Sequence, residues 1–132
     1  MKCLIVEDHL ISRRIIKELL APYADCDIAV NGQEAIESFA LAHEAKRPYD
    51  LICMDIMMPV MDGQEALRII REREHQMQIP PNLAVKVIMT TALDDPSTVM
   101  KAFYEGEATA YIVKPISRQK LVNEMRALKL LN

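Results

Sequence analysis

Short apolar runs of strand length recur along the chain, and between them lie longer stretches whose apolar residues return every three or four positions. The runs are KCLIVE (2–7), CDIAV (26–30), DLICM (50–54), AVKVIMT (84–90) and TAYIV (109–113). They are apolar nearly throughout instead of alternating, the pattern of strands buried on both faces. In the first intervening stretch Ile11, Ile15, Leu19 and Leu20 share one helical face, with Arg13, Arg14 and Lys17 off it. Later faces are Ala35, Ile36 and Phe39, then Ala66, Leu67 and Ile70, then Val99, Ala102 and Phe103. The last is Leu121, Met125 and Leu128, behind Ser117, a residue type favoured as an N-cap. Breaks fall at Pro22, Asn31-Gly32, Pro48, Pro80-Pro81 and Pro96. The longest stretch without a clear pattern is HQMQIPPN, and no repeat or low-complexity tract interrupts the series. The pattern predicts five βα units of an α/β fold, with a parallel sheet between two layers of helices.

Composition narrows the class without naming a function. The 132 residues fit one domain, and 51% hydrophobic with 27% charged residues supplies an ordinary core. A formal charge of -3 gives no general attraction to nucleic acid or to an anionic membrane surface. No apolar run approaches the roughly 20 residues of a membrane helix, and MKCLIVED turns acidic too early for a signal peptide. The cytoplasm is therefore the expected compartment. Cys3, Cys26 and Cys53 are too widely spaced for a metal cluster or disulfide framework and read as reduced, mostly buried thiols.

In an open α/β sheet, ligands bind outside the carboxyl ends of the strands. Polar residues cluster just there: Glu7 and Asp8 at the end of the first run, Asp55 after the third, Thr90 and Thr91 at the end of the fourth, Lys114 after the fifth. If the first and third strands are neighbours, three carboxylates converge and raise one another's pKa unless a cation joins them. Mg²⁺ suits an all-oxygen set of this kind, and the histidines are too scattered for zinc or copper. A carboxylate beside Mg²⁺ can attack phosphorus and form an acyl phosphate. Asp55 is the natural nucleophile, Lys114 the neutralising ammonium, and Thr91 a hydroxyl donor to a phosphoryl oxygen with the small Ala92 behind it. Alternation alone does not choose between Thr90 and Thr91; the Thr-Ala pair favours Thr91.

IVED, LICMDIMMPVMDG, VIMTTA and AYIVKP, in that order across essentially the whole chain, resemble the receiver domain of two-component response regulators. The resemblance implies a flavodoxin-like, doubly wound, five-stranded sheet of order 2-1-3-4-5 with helices on both faces. It implies phosphoryl transfer to Asp55 from a sensor histidine kinase or phosphotransfer protein. Mg²⁺ would be held by Asp8, Asp55 and the backbone carbonyl of Met57, with Glu7 acting through water, while Lys114 and Thr91 contact the phosphoryl group. Tyr111 takes the place of the family's switch aromatic, and a cis bond is expected at Lys114-Pro115. Phosphorylation would draw Thr91 toward the phosphate, admit the Tyr111 ring behind it, and alter the face of the fourth helix, fifth strand and fifth helix, where a downstream protein binds. Met57 and Leu93 are apolar where some receivers place side chains that handle water, so slow self-dephosphorylation is expected.

Rival readings are weaker. A haloacid-dehalogenase-type phosphatase wants a second acid two residues after its nucleophile, and that position is Met57. An FMN binder wants a phosphate loop after the first strand, and DHLISRR is not one. A pseudo-receiver scaffold would not need an intact set of acceptor, metal acids, Thr and Lys. Asp62-Gly63 reads as a turn and helix start, the methionines at 54, 57, 58 and 61 as packing, His9 as lining the acidic site, and REREH as a solvated helix face. One receiver domain over 1–132 with no output domain is expected. It would act as a stand-alone chemotaxis-type regulator or phosphorelay intermediate, the alternative being a receiver cut from a larger regulator.

Overall fold

The computed structural model describes residues 1–91 and 110–132. The expected helix around Val99, Ala102 and Phe103 lies outside the described residues, as do Ala92 and Leu93. The strands are β1 (Lys2–Val6), β2 (Asp25–Ala29), β3 (Leu51–Asp55), β4 (Lys86–Thr91) and β5 (Ala110–Val113). Helices α1 (Leu10–Leu20), α2 (Gly32–Glu44) and α3 (Gly63–Gln76) follow the first three strands, and a C-terminal helix (Arg118–Ala127) follows β5. All pairings are parallel and the order is β2-β1-β3-β4-β5, so β1 and β3 are neighbours.

The central strands β1, β3 and β4 are buried on both faces and do not alternate, whereas the edge strands do, β2 exposing Asp25 and Asp27 and β5 exposing Tyr111. On one face Leu4, Val6, Ile52, Met54, Val87 and Met89 pack with Ala35, Ile36 and Phe39 of α2 and Ala66, Leu67 and Ile70 of α3. On the other, Cys3, Ile5, Leu51, Cys53, Ile88 and Ile112 pack with Ile16 and Leu20 of α1 and Leu121 and Met125 of the C-terminal helix. The cysteines are free thiols, and burial pushes Cys53 up to about 12.

Helix starts are fixed by side chains that accept otherwise unpaired first-turn N–H groups. Asn31 caps α2, Asp62 caps α3 and Ser117 caps the C-terminal helix, while the His9 ring nitrogen caps α1. Close approach fixes two glycines. A Cβ on Gly63 would collide with the Asp55 carbonyl oxygen, and one on Gly32 would meet the Met61 carbonyl oxygen at 2.7 Å.

Two expectations about faces are corrected. In α1 the buried residues are Ile16 and Leu20, while Ile11 and Ile15 are exposed at 64% and 46%. Its apolar positions cover more of the helix than the sheet can bury. REREH is not wholly solvated either. Glu74 is buried and pairs with Arg71 at 2.7 Å. Together they grip Val85 ahead of β4: its N–H donates to Glu74 Oε2 at 2.8 Å, and Arg71 donates to its carbonyl at 2.8 Å. Among the methionines, Met54 is core and Met58 and Met61 pack against it, but Met57 is exposed.

Candidate functional site

The parallel register brings the polar strand ends together. Val6 pairs with Met54, so Glu7 follows on β1 where Asp55 closes β3, and Asp55 pairs in turn with Thr90 on β4. Carboxylate oxygens of Glu7, Asp8 and Asp55 all lie within 4.8 Å of one another. Glu7 and Asp55 are buried, whereas Asp8 is exposed at the rim. Lys114, just past β5, reaches across β4 to place Nζ 3.2 Å from Asp55 Oδ2 and 3.2 Å from Glu7 Oε2. The Lys114-Pro115 bond is cis.

The backbone holds these groups in place. Asp55 Oδ1 accepts from the Met57 N–H at 3.3 Å, which turns the chain at the strand end. The Ile56 N–H donates to the Thr90 carbonyl at 3.0 Å, and the Gly63 N–H to the Ile56 carbonyl at 2.8 Å, so the β3–α3 loop is tied at both ends. The His9 N–H donates to Glu7 Oε1 at 3.4 Å, so His9 lines the acidic site through its backbone. The Lys114 N–H donates to the Thr91 carbonyl at 2.7 Å, joining β5 to the tip of β4.

Charge in this cavity is costly. Burial and the Asp55 carboxylate push Glu7 up to about 7, against the opposing pull of Lys114. Burial alone would lower the pKa of Lys114, but Asp55 and Glu7 more than offset it and raise it. One ammonium thus stands against three carboxylates, and the donor set is entirely oxygen. That chemistry fits a hard divalent cation.

The two threonines are separated by the sheet. Thr90 shares its face with Ile88 and its register partner Ile112, the face of α1 and the C-terminal helix. Thr91, following Val87 and Met89 in alternation, belongs to the opposite face, as does Tyr111, the register partner of Met89. Both threonines are fully buried and Tyr111 is exposed.

With this geometry established, comparison with known proteins is specific. The family model of the response regulator receiver domain matches residues 3–126. The chain belongs to that family. It is 37% identical over 129 residues to the transcriptional regulatory protein ResD of Bacillus subtilis, covering 96% of this chain and 47% of ResD. It thus spans about half the length of that relative. It is 32% identical over 126 residues to the chemotaxis protein CheY of Thermotoga maritima, covering 94% of this chain and 93% of CheY. In structure it is similar to a chain of the CheX–CheY–BeF3–Mg²⁺ complex of Borrelia burgdorferi, with TM-score 0.83, 25% identity, and 98% and 89% of the two chains covered. This receiver domain is accordingly a phosphorylation-dependent switch of two-component signalling. Among the described residues, no helix is long and apolar enough to cross a membrane.

Proposed function

We propose that Asp55 is the phosphoacceptor of this receiver domain. The observation that carries the reading is the Asp55 carboxylate, buried at the end of β3, with Lys114 Nζ at 3.2 Å and the Glu7 and Asp8 carboxylates within 4.8 Å. An Asp55 oxygen attacks the phosphorus of a phosphohistidine on a sensor kinase or phosphotransfer protein. The phosphorus–nitrogen bond breaks and the imidazole leaves with its electron pair, giving an acyl phosphate and a free histidine. Mg²⁺, when bound, neutralises negative charge on the transferring oxygens. Asp8, Asp55 and the Met57 carbonyl would hold it directly and Glu7 through water. Lys114 follows the phosphoryl group with its ammonium, and Thr91 turns its hydroxyl toward another oxygen. The exposed Leu10, Ile11 and Ile15 on α1, with Met57 and Val60 in the β3–α3 loop, give a donor protein apolar area beside the acceptor.

Thr91 and Tyr111, on the same face of adjacent strands, form the proposed switch. Thr91's movement toward phosphate opens space for the Tyr111 ring, which is exposed in this state. A groove of about 450 Å³ runs from Tyr111 and Val113 to Lys120 and Glu124 of the C-terminal helix, beside the face proposed for the downstream partner. Residues 1–132 act in this reading as one receiver unit whose output is protein binding. The apolar Met57 side chain offers no acid or base to an attacking water, so self-dephosphorylation is slow, and Met57→Asn should shorten the phosphate half-life.

Beryllofluoride with Mg²⁺ tests the reading. A bound ¹⁹F signal that requires Mg²⁺ and Asp55, with a shift of the Tyr111 resonances, is expected. Binding that survives Asp55→Asn would refute the acceptor assignment, and an unmoved Tyr111 would refute the switch.

A further inference from the structure

Thr90 takes no part in the phosphoacceptor chemistry assigned to Asp55, Lys114 and Thr91, and its environment is anomalous. It is fully buried, yet its hydroxyl Oγ1 has no hydrogen-bond partner among the described residues. Native structures rarely leave a buried hydroxyl unsatisfied, because doing so forfeits its hydration for nothing in return. A valine has the same shape and no such penalty, and this face of the strand is otherwise apolar: Ile88 precedes Thr90 and Ile112 is its register partner.

The position explains why a hydroxyl is useful there. Thr90 is the register partner of Asp55, and partners on adjacent parallel strands present their side chains to the same face. Lys114 starts beyond β5 and touches both Asp55 on β3 and Glu7 on β1, so it reaches across the end of β4, the end at which Thr90 lies. In the unphosphorylated state Asp55 Oδ1 takes the Met57 N–H and Oδ2 takes the Lys114 ammonium, so neither oxygen calls on Thr90. Phosphorylation converts one carboxylate oxygen into the bridging atom of the acyl phosphate and draws Lys114 toward the phosphoryl group. With Oδ1 as the bridging atom, the acyl oxygen is Oδ2, and it loses the Lys114 donor. The unspent donor in its own register row is the Thr90 hydroxyl.

We propose that Thr90 is a second threonine of the phosphoacceptor site, a positioning residue whose hydroxyl donates to the Asp55 acyl oxygen once Lys114 has moved to phosphate. A rotation about the Thr90 Cα–Cβ bond delivers it, and no bond is made or broken. This role differs from that of Thr91, which acts from the opposite face and on the phosphoryl oxygens. It rests on Asp55 being the acceptor.

Thr90→Val and Thr90→Ser separate this role from a structural one, because stability and phosphate retention should move in opposite directions. Thr90→Val should raise the melting temperature of the free domain by removing the orphaned hydroxyl. It should also weaken beryllofluoride binding in Mg²⁺ about fivefold, the size expected for one hydrogen bond to a carbonyl oxygen, and shorten the acyl-phosphate half-life after acetyl phosphate treatment. Thr90→Ser, which keeps the hydroxyl, should restore both phosphate readouts. Thr90→Val with unchanged beryllofluoride affinity and half-life overturns this inference while leaving Asp55 as acceptor. Wild-type protein that neither binds beryllofluoride nor takes phosphate overturns both.

Discussion

Val60 lies at φ 70°, a region that β-branched residues rarely enter, at the centre of a tight turn in which the Met61 N–H donates to the Pro59 carbonyl at 2.7 Å. Its side chain is 83% exposed, so little packing compensates for that backbone. Left-handed geometry costs a non-glycine residue about 1–2 kcal/mol, while glycine costs about 0.5–1 kcal/mol through its freer unfolded chain. Val60→Gly should therefore raise the urea midpoint by the equivalent of about 0.5–1 kcal/mol, and a lowered midpoint would show the turn to be unstrained. Single residues were unevenly legible in the sequence. Asp55, Asp8, Glu7 and Lys114 stand out because acids and an ammonium that interrupt apolar runs are conspicuous, and the structure brings them together. The strain at Val60 was invisible, because it depends on a backbone angle that MPVMDG does not announce. The difference between Thr90 and Thr91 was equally hidden until the register assigned each to a face.

At the scale of elements, hydrophobic runs located all five strands to within two residues at each end, because the central strands, buried on both sides, have almost no polar positions and the edge strands keep an apolar core side. Helix faces were read less well. On α1 a surplus of apolar positions disguised the buried stripe of Ile16 and Leu20. On α3 the run REREH looked uniformly solvated because charge is usually exposed, whereas Glu74 and Arg71 turn inward to satisfy the backbone of Val85. That pair is a local anchor for the segment leading into β4. Glu74→Ala would strip a buried N–H of its acceptor and leave a largely buried guanidinium without its carboxylate. Removing one member of a buried pair costs about 3–5 kcal/mol. A loss of that size is expected in chemical denaturation, and a change below about 1 kcal/mol would show the anchor to be dispensable.

For the whole molecule, the sheet concentrates three carboxylates and one ammonium at one edge and leaves that edge electrostatically incomplete. A ligand that binds only the folded state stabilises it by mass action, about 2.7 kcal/mol at a hundredfold excess over its dissociation constant. Saturating Mg²⁺ should therefore raise the melting temperature by on the order of 10 °C for a domain of this size. Asp8→Asn should abolish most of that shift without preventing folding, since Asp8 is exposed. An equal shift in that variant would remove Asp8 from the metal site. The strand order and the convergence of the polar ends followed from sequence because the motifs occur in family order. The balance of charge within the site did not, since it depends on Lys114 crossing β4 to reach both Asp55 and Glu7.

The central claim is that this edge exists to carry phosphate on Asp55. The direct measurement is the intact mass of the protein after incubation with acetyl phosphate, with and without Mg²⁺, for wild type and Asp55→Asn. One phosphoryl group of about 80 Da should appear on the wild type only when Mg²⁺ is present, and on Asp55→Asn not at all. A wild type that gains no mass, or an Asp55→Asn variant that gains as much, would contradict the account.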